Sequence, residues 1–267
     1  MKKKTKSRIA LSMALILLAG AAVLGWTLLS WRQAAQTPPS PNANAAPEEQ
    51  SEAADNGESD GFPVVDWDYW KSINKDIIGW ITIPGTSINS PILQAPSDDP
   101  TYYLKHDVYG NYNPHGAIYL DADCPDGLLS KNAVIMGHHF GNDVTAAPFG
   151  TIASYIDKDF AKEHSTIYIQ TPEWKKTYGA RFAQIINGLE RNKRTTFDSE
   201  DDYRSWYDSS KANATMVLDD TTEPEQTISL VTCSYNIWVK NERTVLVTSE
   251  IATQNQGENT GTASEAS

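Results

Sequence analysis

The chain has 267 residues and a formal net charge of −12. That length allows one large domain or two small ones. Residues 1–32 hold six basic side chains and no acids, so the remainder carries −18, which argues against nucleic acid or an anionic surface as partner.

The chain opens with Lys2, Lys3, Lys4, Lys6 and Arg8, and an uncharged, mostly apolar run follows over residues 9–31. Such a run is long enough for a hydrocarbon core that takes about 20 helical residues. Basic residues before it, against Arg32 alone after it, predict a cytoplasmic N-terminus. A cleaved signal peptide has a shorter apolar core, about 7–15 residues, and small residues at its cleavage site. The expectation is therefore an uncleaved single-pass anchor at the cell membrane, with the rest of the chain outside. Residues 32–61 mix Pro38, Pro39, Pro41 and Pro47 with small polar residues and then turn acidic, which predicts a disordered linker. The folded domain is expected over 62–252, with a frayed tail over 253–267.

Within that domain Asp66 is placed to cap a short helix whose Trp67, Trp70 and Ile73 share a face. Short strand-like runs follow at 79–83, 88–94, 117–120, 133–136 and 166–170, several separated by Pro-Gly, Asn-Pro or Asp-Gly turns. Strands are also expected at 178–187, 227–233 and 244–251. One helix interrupts them at 199–212, with Ser199 as cap and Asp202 three residues on. Many short strands with few helices predict a mostly β domain, a closed barrel or a sandwich.

Two stretches carry chemistry. Cys233 ends a β-branched run and Arg243 opens the next, so side-by-side strands would bring a thiol and a guanidinium to one rim. A neighbouring cation favours the thiolate, the nucleophilic form. A buried structural cysteine beside a surface arginine is the alternative, open at this point. In the second stretch a buried-type strand ends at Gly137, and His138 and His139 follow where the chain turns, a position suited to general acid–base work. Adjacent histidines on an extended chain point apart, and no second cluster has ligand spacing, so no metal site is expected. The run Asp121-Ala-Asp-Cys-Pro-Asp-Gly departs from a calcium loop, with Pro125 at its fifth position and glycine only at its seventh.

Gly137-His138 after a strand, Ser229-Leu-Val-Thr-Cys233 far downstream and Arg243 near the end resemble the sortases, membrane-anchored cysteine transpeptidases of Gram-positive bacteria. The run from Ile73 to Thr86, the Gly116-Ala-Ile-Tyr-Leu-Asp run and the helix around Tyr203 resemble class B in particular. The resemblance implies a closed sortase-type β-barrel of about eight strands, with an N-terminal helix and a helix in the connection before the cysteine strand. It implies Cys233 as nucleophile, His138 as acid–base and Arg243 as the group that positions substrate and stabilises charge, with His139 a neighbour. Ser229, Val231, Thr232 and Ser234 around the cysteine, and Tyr203 and Trp206 on the helix, are the implied substrate-binding residues. Ser229 stands where the family usually has threonine, and Val231 where many class B members have serine. The implied partners are secreted proteins bearing a C-terminal sorting signal and an amine from a peptidoglycan precursor or another surface protein. No cofactor is implied.

Two other classes fit the same residues. A cysteine peptidase or hydrolase would share the thiol, base and acyl intermediate. A non-enzymatic anchored surface module would leave Cys233 structural, with a disulfide to Cys124 allowed by an oxidising compartment.

Overall fold

The structure is a computed structural model, and it describes residues 60–255 apart from 142, 145, 146, 148, 189–192, 219–223, 235, 236 and 238–240. The expected anchor, nearly all of the expected linker and the last twelve residues of the expected tail lie outside the described residues.

Among the described residues nine strands form one sheet: β1 (Ile77–Thr82), β2 (Asn89–Gln94), β3 (Tyr119–Leu120), β4 (Asn132–Met136), β5 (Thr166–Gln170), β6 (Trp174–Asn187), β7 (Met216–Val217), β8 (Thr227–Ser234) and β9 (Glu242–Asn255). Neighbours run β5-β1-β2-β3-β4-β8-β9-β6-β7, and β5 also pairs with β6. That last pairing closes eight strands into a barrel, with β7 left on the outer half of β6. Closure removes the exposed edges of an open sheet. β6 serves two partners along one side: residues up to Gly179 pair with β5, then Phe182 and Ala183 pair with β7. Its pairing with β9 shifts register between Thr177 and Tyr178 and again between Ala180 and Phe182. Such bulges bend and twist a strand, as a closing sheet requires. The barrel is filled by buried apolar side chains that include Ile81, Ile92, Leu120, Ile169, Leu230 and Leu246.

Among the described residues three α-helices pack around the barrel. α1 (Trp67–Ile73) is capped by the Asp66 side chain, which accepts from the Tyr69 N–H. Its Trp70 is buried against Trp80, ring centroids 5.2 Å apart, in a cluster with Leu93, Tyr103 and Tyr119. α2 (Lys158–Glu163) is a six-residue helix that sequence reasoning did not anticipate. α3 (Glu200–Ala212) is capped by Ser199, whose hydroxyl accepts from the Asp202 N–H. Asp202 itself pairs with both terminal nitrogens of Arg194 rather than completing a capping box. α3 buries Tyr203 and Tyr207, and Tyr207 packs with Phe182, Val245 and Val247 on the outside of β6 and β9.

The expected frayed tail begins too early. β9 continues to Asn255, because the chain beyond 252 has a partner: Thr253 pairs with Lys176, Gln254 with Lys175 and Asn255 with Trp174. Polar residues hold a strand here because the ladder hydrogen bonds belong to the backbone.

Candidate active site

The site is a row across three neighbouring strands. β4 and β8 run parallel with Met136 opposite Val231, and β8 and β9 run antiparallel with Val231 opposite Val245. Val231 and Val245 lie in the cluster that α3 covers. Residues two apart on a strand share a face. The next row therefore holds Cys233 on β8 with Arg243 directly opposite on β9. On the other side the chain stays beside β8 past the end of β4: the Gly137 N–H donates to the Val231 carbonyl at 3.2 Å, and the Thr232 hydroxyl donates to the Gly137 carbonyl at 3.0 Å. His138 follows, so the row reads His138, Cys233, Arg243. Strand spacing sets backbone separations of about 5 Å between neighbours. Thiol, imidazole and guanidinium are all half-buried at one rim.

His138 is held from two sides. Its Nε2 lies 2.8 Å from the Leu104 carbonyl. A carbonyl only accepts, so Nε2 carries the hydrogen and Nδ1 is the nitrogen that can gain or lose a proton. Phe140 stacks on the ring with centroids 5.0 Å apart. Burial lowers the imidazole's pKa from its ordinary value; the bond to Leu104 opposes that, and the charge of Arg243 adds to it. The segment that presents Leu104 is pinned by Gly116, whose φ of 59° is left-handed and where a Cβ would collide with the Tyr103 carbonyl oxygen.

His139 points the other way. It is 4 % exposed, and its Nδ1 donates to the carbonyl of Cys233 itself at 2.8 Å. It is no bystander: it fixes the backbone of the cysteine. The two histidines serve opposite sides of the chain, and among the described residues no group of three or more His, Cys, Asp or Glu side chains is arranged to hold a metal ion.

The residues expected to bind substrate divide by exposure. Val231 is half-buried on the face of Cys233. Ser229, Thr232 and Ser234 are buried. The Ser229 hydroxyl donates to Asn132 Oδ1 at 2.8 Å and that of Thr232 is taken by Gly137, so both brace strands rather than face a groove. Tyr203 is fully buried, with its ring 5.0 Å from Phe197 and its hydroxyl directed at Thr227 Oγ1. A side chain closed to solvent cannot line a groove, so Tyr203 supports the helix from behind. Trp206 is half-buried against Phe197.

Both cysteines are free thiols, which removes the disulfide of the surface-module reading. The Cys124 sulfur accepts from the Val134 N–H, and burial raises its pKa to about 11. Sequence reasoning passed over Glu242, which is 1 % exposed and accepts from the Ile237 N–H just beyond the cysteine. Its signal was available: an acid immediately before Arg243, at a strand position of buried parity.

A closed β-barrel that sets thiol, imidazole and guanidinium in one row at its rim fits a cysteine acyl-transferring enzyme. The Sortase domain family matches residues 81–251. The chain belongs to the sortase family, and it is a cysteine transpeptidase. Its relatives are of class B. It is 28% identical to sortase B of Staphylococcus aureus over 183 residues, 66% of this chain and 71% of that protein. It is 36% identical to sortase B of Listeria monocytogenes over 96 residues, 36% of this chain and 37% of that protein. The fold superposes on a solved S. aureus sortase B–substrate complex with TM-score 0.60 at 26% identity, covering 69% of this chain and 83% of that one.

Proposed function

We propose that the chain is a membrane-anchored transpeptidase that cuts a C-terminal sorting signal from secreted proteins and joins the new carboxyl end to an amine. The observation that carries this reading is the register that sets Cys233 opposite Arg243 beside the end of β4. Cys233 Sγ attacks the scissile carbonyl carbon as thiolate. The oxyanion that forms is stabilised by Arg243 and by backbone N–H groups. The intermediate collapses, the C–N bond breaks, and His138 Nδ1 gives its proton to the leaving amine. A thioester remains on Cys233. The acceptor amine then attacks it, loses a proton to His138 and releases the thiolate.

A peptidoglycan-precursor amine or an amine of another surface protein fits the acceptor role. A sortase B has been solved in complex with triglycine, so that peptide is the first acceptor to try. The basic N-terminus and the apolar run at 9–31 support the anchor; among the described residues no helix is long and apolar enough to cross a membrane. The test is capture of the acyl-enzyme. The chain is incubated with a degenerate library of sorting-signal peptides, and Cys233 is read by mass spectrometry before and after hydroxylamine or triglycine. A hydroxylamine-labile adduct on Cys233 that passes to triglycine supports the reading. Release to water alone, with triglycine present, makes the chain a hydrolase.

A further inference from the structure

Gly188 follows the last residue of β6 and lies beside the rim just described. Its φ is outside the left-handed range, so its backbone does not demand glycine. Space does. A Cβ built there would lie 3.3 Å from both Cζ and Nη1 of Arg243 and 2.8 Å from the Asn241 carbonyl oxygen. The Gly188 N–H donates to that same carbonyl, which ties the residue to the start of β9. The guanidinium thus rests on a stretch of bare backbone, with Nη1 donating to the Glu242 carbonyl at 2.8 Å. The register continues this contact: Asn187 pairs with Glu242 and Ile186 with Arg243.

We infer that Gly188 is a positioning residue for Arg243: its missing side chain is the seat of the guanidinium, and that seat sets where the charge stands relative to Cys233. The backbone bond at Nη1 holds one corner of the planar fork, and the glycine surface supports its face. Gly188 flanks β9 on the β6 side and Cys233 flanks it on the β8 side, so the seat sets the distance between guanidinium and thiol. A methyl group at 188 pushes the fork by a few tenths of an ångström, and a branched side chain pushes it further. The inference rests on Arg243 acting beside the thiol, and the experiment separates the two claims.

The probes are iodoacetate and iodoacetamide, which alkylate the same thiol and differ by one negative charge. Their rates on Cys233 of the full chain are followed by mass spectrometry, with buried Cys124 as internal control. A guanidinium in the row of the thiol draws the carboxylate, so the iodoacetate-to-iodoacetamide ratio should fall about twofold in Arg243→Gln, the effect of one unit charge about 8 Å away in water. Gly188→Val should shift the ratio away from wild type, Gly188→Ala should shift it less and in the same direction, and neither should shift it in the Arg243→Gln background. An unchanged ratio in Arg243→Gln sinks the role of Arg243 itself. A ratio that falls in Arg243→Gln but stays at wild type in Gly188→Val overturns the seat. So does an equal shift from Gly188→Val in both backgrounds. If Gly188→Val does not fold, Gly188→Ala carries the comparison. Failure of Gly188→Ala to fold even alongside Arg243→Gln assigns the glycine to the Asn241 contact and also overturns the proposal.

Discussion

His138 and His139 are identical in chemistry and adjacent in sequence, yet the row geometry gives them different work. In the proposed mechanism His138 carries protons, so His138→Ala should cost at least the 10²–10⁴-fold typical of general acid–base catalysis, and Cys233→Ala should abolish the thioester; single-turnover acylation measures both. Arg243→Lys keeps the charge and loses the fork resting on Gly188, so lysine should recover little of the activity. His139→Ala leaves a part-buried carbonyl of Cys233 without its imidazole donor, which should lower stability by about 1–3 kcal/mol in denaturant unfolding. An unchanged midpoint would remove His139 from that role. His138 also makes stability depend on pH. Its folded pKa lies below the ordinary imidazole value of about 6.5, so the unfolded chain binds more protons as pH drops. The corresponding stability is full above about pH 6.5 and is lost as pH falls through the lower, folded value. His138→Gln should therefore lose less melting temperature between about pH 7 and about pH 5 than the wild type does.

At the scale of elements, α3 is held as much by what it hides as by what it shows. Tyr203→Ala empties a fully buried site and should cost about 3–5 kcal/mol of stability without changing which peptides are cut. Trp206→Ala, at a half-buried ring, is the variant expected to alter peptide preference, read from cleavage of a peptide library. A changed preference in Tyr203→Ala at normal stability would falsify this division. The same helix shows why some elements were legible in the chain and others were not. Ser199 before an acidic first turn marks a helix start by a local hydrogen bond, and 227–233 marks a strand by its branched side chains. α2 gives a weak pattern, being six residues long, and the end of β9 gives none, since Thr253, Gln254 and Asn255 are strand only because β6 lies beside them. The proposed catalytic trio could be matched to a family by motif. The seat at Gly188 could not, because nothing local distinguishes a glycine kept for space from one in a turn.

For the whole molecule, attachment is the property that the amino-terminal residues decide. If residues 9–31 anchor the chain, N-terminal sequencing of the protein recovered from the membrane fraction should begin at or near Met1. A mature chain starting beyond Trp31 would mean a cleaved leader instead. The domain that carries the site brings its own constraint, set by the parallel pairing of β4 with β8. That pairing joins residues 95 positions apart, with β5, β6 and β7 in the connection between them. Pairings of such long range are slow, on the order of milliseconds to seconds in barrel-like domains. Until β8 arrives, Cys233 has neither imidazole nor guanidinium beside it and is an ordinary thiol. Catalytic competence is therefore a late event in folding, and recovery of acylation after dilution from denaturant should follow the slowest phase by which the barrel closes.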